Sequence, residues 1–325
     1  MNAQTRRQWI TTHEWMVKPM RQTEWISGRG ILVWLAEVFS ALGMGTYLVG
    51  LLFGIGGITT GAWWATVLGW ALIVLFKLPL HFMYLGRKRN FWRAIPPFTN
   101  AWKTSWFARG MFFSIVFTGA GFVQIVLWYL LHWVTLSASA ADVVTVLAWV
   151  VGIVAGVFIV LTGVYCGFAM SYCKSLPFWN TGLLPIVFVI MGLADGLALT
   201  MGVSLLTGKD VPLDTLEFWS RILLIVNALL IAGYLVRAYR RHSTAELAAQ
   251  DLIKGSTAWV FWILLVLLGI VTPLVISFAT LFMGETTNAE SLLIVAIVCH
   301  TIGAFALKYS VLKVGIYRSV LPKVA

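Results

Sequence analysis

The chain has 325 residues, 60% hydrophobic and 11% charged, with a formal net charge of +11. Its mean hydropathy is +0.89. A soluble chain is about half apolar and about a quarter charged, so a soluble enzyme and a disordered protein are both excluded. Cys166, Cys173 and Cys299 lie in apolar segments without CxxC or CxxCH spacing, which excludes a cysteine-ligated iron–sulfur cluster, a c-type haem site and a disulfide scaffold. No basic stripe or single-strand-binding pattern accompanies the charge, so nucleic acid is not an expected partner.

Residues 1–30 are polar, carry Arg6, Arg7, Lys18, Arg21 and Arg29, and contain no apolar run. No cleavable signal is expected there, and Arg6-Arg7 lacks the apolar core of a twin-arginine signal. Eight apolar stretches follow over 31–55, 62–85, 109–134, 142–170, 181–206, 218–238, 258–283 and 290–312, each near the ~20 residues that cross a bilayer. The expected fold is an all-α polytopic bundle of eight transmembrane helices. It divides into a docking segment 1–30, a membrane domain 31–315 and a tail 316–325.

Basic residues sort by side. Twenty of the 23 fall in the N-terminal segment, the even-numbered loops and the C-terminal flank, Lys308 and Lys313 included. The odd-numbered loops hold the acids Asp142, Asp210, Asp214, Glu217, Glu285 and Glu290. Lys and Arg are retained in the cytoplasm, so both termini are expected there, in a bacterial or archaeal cytoplasmic membrane. Glycine pairs such as Gly43/Gly45, Gly119/Gly121 and Gly152/Gly156 suit close helix packing in lipid.

Ionisable groups within spans cost about 2.5–3.5 kcal/mol each on insertion scales, so Glu37, Lys77, His81, Asp195 and His300 stand out. Lys77, His81 and Tyr84 share one face of the second helix, with His81 ~7–8 Å and Lys77 ~13 Å inside its boundary and Glu37 ~10 Å into the first. A carboxylate, an amine, an imidazole and a phenol at one depth suit a quinone head group, whose carbonyls need donors and whose redox chemistry needs proton carriers. A Glu37–Lys77 ion pair with Lys77 snorkelling to the surface explains the first two groups equally well. Asp195 suits a proton path; His300 reads as a packing residue. The histidines do not match in depth, so no haem is expected. No P-loop, HExxH or GxSxG motif appears.

Several segments together resemble the polysulfide-reductase/NrfD-type membrane subunits. They are Phe39-Ser-Ala-Leu-Gly-Met-Gly-Thr-Tyr47, the run Tyr84-Leu-Gly-Arg87, Phe91-Trp92-Arg93, Thr104-Ser-Trp106 and Arg109-Gly110, then Tyr165-Cys-Gly167, Leu176-Pro-Phe-Trp-Asn-Thr181 and Gly303-Ala-Phe-Ala-Leu-Lys-Tyr309. Two departures are Tyr84 in place of the family's histidine, with His81 one turn earlier, and Asp195 in place of a hydroxyl residue. The resemblance implies an eight-helix subunit without a redox metal, part of a quinone-linked oxidoreductase but not its catalytic centre. A ferredoxin-like iron–sulfur subunit would dock on the Leu-Gly-Arg loop, linked to a molybdopterin catalytic subunit. Menaquinone or ubiquinone would bind just beneath, at His81, Tyr84 and Tyr165, with Glu37, Lys77 and Asp195 relaying protons. The docking surface would be Arg87, Lys88, Arg89, Arg93, Trp106 and Arg109, joined by residues 1–30 with Trp9, Trp15 and Trp25 as anchors. The basic loops place those partners in the cytoplasm, as in quinone-linked sulfite-oxidising complexes of this general type. A secondary transporter using Glu37, Lys77 and Asp195, and an anchor without a quinone site, are the other open readings, although no inverted repeat supports the first.

Overall fold

The structure, a computed structural model, describes residues 19–97, 99–208, 210–283 and 287–319. Trp9 and Trp15 lie outside the described residues. Among the described residues, eight helices are long and apolar enough to cross a membrane. They are α1 Ile31–Gly54, α2 Thr60–Tyr84, α3 Trp106–Trp133, α4 Ala138–Ser171, α5 Leu183–Leu206, α6 Leu213–Arg240, α7 Val260–Met283 and α8 Thr287–Lys313.

Several helices start earlier than hydropathy predicts, because capping side chains extend the apolar core by a turn. Ser105 accepts from the Ala108 amide before α3, Ser137 from Ala140 before α4, and Thr59 from Ala62 before α2. These bonds satisfy amides that a helix start otherwise leaves unpaired. Two spans are wound wide, with π-helical stretches at Leu72–Lys77 in α2 and Val260–Val271 in α7.

Helices α1–α4 form one group and α5–α8 a second, joined where α1 crosses α5. The crossing needs glycine: a Cβ on Gly45 would strike the Gly192 carbonyl, and one on Gly196 would strike the Gly45 backbone. Gly269 of α7 and Gly303 of α8 meet backbone to backbone in the same way. Lipid supplies no hydrophobic drive between helices, so close packing of this kind holds the bundle. Gly119, by contrast, faces open space, and its pairing with Gly121 has no part in a helix crossing.

The two ends of the protein meet at one end of the bundle, here named the basic end. Arg21 and Ile316 form an antiparallel bridge, and the Gln22 amide donates to the Gly315 carbonyl. Arg21 grips Asp251 through two bonds of 2.8 and 3.0 Å, which hold its guanidinium above its usual pKa range. Trp25, expected as a partner anchor, instead packs half-buried against Trp179 at 5.4 Å. Described residues 19–30 and 316–319 are therefore sewn to the bundle. The Leu176–Thr181 stretch is part of this end: Trp179 Nε1 donates to Val311 O, and Arg241 donates to the carbonyls of Pro177 and Asn180.

Two charges sit deeper than loop counting places them. Glu217 lies inside α6, buried, and accepts from Thr280 Oγ1 at 2.7 Å and Ser277 Oγ at 3.5 Å of α7. Lys308 is buried in α8 with its Nζ 3.5 Å from the centre of the Phe188 ring. Hydropathy and charge assign both to loops or flanks because each is within two turns of a helix end. Their side chains find polar or aromatic partners inside the bundle, which makes burial tolerable.

Candidate functional site

At the basic end of the first helix group, α1, α3 and α4 each bring one polar residue, and α2 brings two, to a shared interior point. Just past the π-wound stretch of α2, His81 Nδ1 lies 3.3 Å from the Lys77 carbonyl. A carbonyl only accepts, so Nδ1 carries the hydrogen and Nε2 is left to face the site. That nitrogen lies 2.8 Å from the Tyr165 hydroxyl and 3.4 Å from Glu37 Oε1. The same hydroxyl is 3.3 Å from Glu37 Oε1, so one phenolic hydrogen chooses between imidazole and carboxylate. Lys77 Nζ donates to Ser114 Oγ and stands 5.0 Å from the centre of the Tyr165 ring. Ser114 in turn donates to the Gly110 carbonyl at 2.7 Å.

Local sequence explains the arrangement. A Cβ on Gly110 would run into the Tyr165 ring, so the Arg109-Gly110 pair opens α3 where α4 must seat its tyrosine. Arg109 turns inward: its Nε donates to Trp102 O and one terminal nitrogen to Lys103 O, while its guanidinium lies 4.6 Å from the Trp106 ring centre. Trp106 stacks on Phe168 at 5.0 Å. These groups wall a cleft of about 410 Å³ that reaches Tyr165, with Phe113 and Leu161 completing its apolar side. The volume is within the range of small-molecule sites, and a mostly apolar lining with a few polar groups is the usual makeup of such a site.

A larger cleft of about 520 Å³ opens at the opposite end between α1, α3 and α4, with Gln124 and Thr145 for polar lining and no titratable group. It offers nothing to carry a proton, so the redox reading belongs to the smaller cleft.

Glu37, Lys77 and His81, expected at one depth, lie together, and Tyr165, expected there from the resemblance, lies with them. Other expectations change. Lys77 is fully buried, so it does not snorkel, and its amine pairs with Ser114 instead of forming an ion pair with Glu37. Tyr84 is half-buried and its hydroxyl makes no hydrogen bond among the described residues; its carbonyl accepts weakly from Arg29 at 3.4 Å. Asp195 stands apart from this cluster, its Oδ1 2.9 Å from His300 Nε2, a salt-bridge distance at an angle poorer than a good hydrogen bond. His300 is therefore the partner of Asp195, and not a bystander in packing. Arg87, Lys88, Arg89 and Arg93 are exposed at the basic end, whereas Arg109 and Trp106 knit the loop to the bundle. Ser114, which holds the Lys77 amine, is the one member of this group that the sequence does not point to.

A bundle of eight apolar helices enclosing a hydrogen-bonded Tyr–His–Glu group beside an aromatic cleft defines a polytopic membrane protein with an internal polar site. The family model described as polysulphide reductase, NrfD, matches residues 54–319, and the chain belongs to that family. It is similar to the C subunit of polysulfide reductase from Wolinella succinogenes, 29% identical over 185 residues, covering 55% of this protein and 57% of the relative. It is also similar to the NrfD homolog of Haemophilus influenzae, 27% identical over 158 residues (47% and 48%), and to protein NrfD of Escherichia coli, 29% identical over 125 residues (37% and 39%). The matched region spans about half the length, or less, of these curated relatives.

Proposed function

We propose that this protein is the quinone-reactive membrane anchor of a multisubunit oxidoreductase. The observation that carries the reading is the Tyr165–His81–Glu37 group, whose Tyr165 also lines the 410 Å³ aromatic cleft at the basic end. A quinone, when bound, supplies a two-electron, two-proton couple between its carbonyl and hydroxyl forms. The residues here suit that couple. Tyr165 lines the cleft and hands its hydroxyl to His81 and Glu37 behind it, Glu37 holds or accepts a proton, and the Lys77 ammonium sets a positive charge by the Tyr165 ring. Trp106 and Phe168 offer a flat apolar surface for a ring, and Arg109 guards the mouth.

Electron transfer favours short gaps, so the electron partner belongs on the basic end, against exposed Arg87, Lys88, Arg89 and Arg93. An iron–sulfur subunit there, joined to a molybdopterin catalytic subunit, fits the family. The bias of basic residues supports a cytoplasmic position for both, with both termini of this protein on the same side. One relative is named for polysulfide reductase, which supports a sulfur compound as the substrate of the whole complex.

The test is quinone-linked turnover of the assembled complex together with binding of a quinone analogue. His81→Ala should weaken the analogue modestly, by the ~1 kcal/mol of one hydrogen bond, and slow turnover at least tenfold because a proton carrier is lost. Glu37→Gln keeps the shape and removes the titrating group, so it should spare analogue binding and slow turnover. Wild-type turnover across pH in both variants, with full assembly, would end this reading.

A further inference from the structure

At the basic end, α6 finishes in Arg237 and Arg240, with Arg241 directly after them, and all three are exposed. The helix dipole favours a cation in a last turn, which accounts for charge there but not for the space beside it. With Gly233 and Val236 the arginines line an open cavity of about 460 Å³. A Cβ added to Gly233 would meet nothing within 4 Å, so this space reaches the helix backbone. Below it, Ile225, Leu229, Gly233 and Val236 follow one another at helical spacing, each of them exposed. They make an apolar stripe ~17 Å long that runs up to the arginines, about the depth of one leaflet of a ~30 Å hydrocarbon core.

The charge in this cavity is not answered by the protein. None of the residues that line it is acidic. Arg237 and Arg240 make no hydrogen bond or ion pair among the described residues. The carboxylates that follow in the chain are engaged elsewhere, Glu246 with His242 at 3.5 Å and Asp251 with Arg21. Arg241 is held in place in advance. Its Nη1 donates to the carbonyls of Pro177 at 3.2 Å and Asn180 at 2.9 Å, which leaves Nε and Nη2 without a partner among the described residues. Guanidinium forks match the paired oxygens of a phosphate. Basic pockets between membrane helices on the positively charged side suit phosphate-bearing lipid head groups. The apolar stripe decides the kind of anion, because it leads from the arginines down the lipid-facing flank of α6, where only a ligand with a hydrocarbon chain gains by following it.

We propose that this cavity is a binding site for one anionic phospholipid. Arg237, Arg240 and the free edge of Arg241 hold its phosphate, and an acyl chain lies along the Ile225–Val236 stripe. The anion relieves the mutual repulsion of three like charges crowded on one turn. It also braces the bundle, since Arg241 grips the Leu176–Thr181 stretch and Trp179 of that stretch donates to Val311 O of α8. The site is independent of the quinone reading and of the exposed arginines between α2 and α3.

The full chain, purified in detergent, can be titrated with dioleoyl phosphatidylglycerol or dioleoyl phosphatidylcholine while native mass spectrometry counts the lipid retained. Phosphatidylcholine has the same chains and a phosphate, but carries its own cation. Wild type should retain one phosphatidylglycerol at a concentration at least tenfold below that needed for phosphatidylcholine. Arg237→Gln and Arg240→Gln together should abolish this preference. Gly233→Leu keeps every charge, fills the space beside the backbone and should weaken phosphatidylglycerol at least fivefold, so it gives a reading even where the double variant does not fold. Inorganic phosphate in large excess should fail to displace the lipid, because it has no chain for the stripe. Equal retention of the two lipids by wild type, undiminished phosphatidylglycerol in both the double variant and Gly233→Leu, or displacement by inorganic phosphate overturns the lipid site. So does a double variant that keeps the lipid and loses its partner subunits from the assembled complex, which would give this surface to an acidic protein.

Discussion

In the first four helices, His81 gives its Nδ1 hydrogen to the Lys77 carbonyl and turns Nε2 toward Glu37; in the second four, His300 gives its Nδ1 hydrogen to the Gly269 carbonyl and turns Nε2 toward Asp195. Both accepting carbonyls belong to π-wound stretches, where the helical ladder skips a residue and a carbonyl can serve a side chain. The surroundings then diverge. The first pair has a tyrosine hydroxyl at 2.8 Å and a 410 Å³ cleft alongside, whereas the second borders a cavity of 20 Å³. Similar acid–base chemistry is thus given room for an organic ligand in one place and room for a water in the other. Chemistry at a membrane site is set as much by access as by the titrating groups.

The sharpest way to break the comparison is to remove one member from each pair and measure stability. Breaking a buried charge pair by truncation leaves the other member uncompensated, at about 3–5 kcal/mol. Asp195→Ala should therefore lower the thermal stability of the purified protein strongly, because a cavity of 20 Å³ cannot rehydrate His300 well. His81→Ala should cost distinctly less, since Tyr165 still reaches Glu37 and the adjacent cleft admits water. Equal losses in the two variants would show that the cleft makes no difference to the first pair.

A middle-sized effect isolates access itself. Leu161 lines the cleft but makes no polar contact with the Tyr165 group. Leu161→Trp should fill the cleft and weaken a bound quinone analogue at least tenfold, about 1.4 kcal/mol, while leaving thermal stability within about 1–2 kcal/mol. Unchanged affinity would place the ligand elsewhere, and the larger apolar cleft by Gln124 would be the next position to block.

Much of this is legible in the sequence. Spans, depth band and side bias follow from hydropathy and charge, which the bilayer forces onto every helix. Partnerships across helices are not legible, because they depend on how helices are rotated about their axes. Asp195 and His300 are 105 residues apart and share only a mid-span depth. Lys308 looks like a flank charge because Lys313 and Arg318 follow it. Lys77 has the depth its spacing predicts, but its Ser114 partner lies on α3, whose polar face has no period a sequence reader would notice.

Tyr84 gives the smallest expected effect and the finest test. Its spacing from Lys77 and His81 puts all three on one face of α2, and the family motif has a histidine at its position, so sequence alone favours it as a head-group contact. The last turn of α2 carries it past the Tyr165 group instead. Its ring is half-buried near the boundary and its hydroxyl bonds to nothing among the described residues, while its backbone carbonyl faces Arg29 of the N-terminal segment. Tyr84→Phe removes only that hydroxyl and keeps the boundary aromatic, a position where rings are favoured for reasons unrelated to chemistry. Quinone-linked turnover and analogue affinity should both stay within about twofold of wild type, under the ~1 kcal/mol that a lost hydrogen bond would register. Tyr165→Phe, which deletes a hydroxyl bonded to both His81 and Glu37, should lower turnover at least tenfold in the same assay. If the Tyr84 variant fell as far as the Tyr165 variant, the head group would have to sit nearer the membrane surface than the cleft places it.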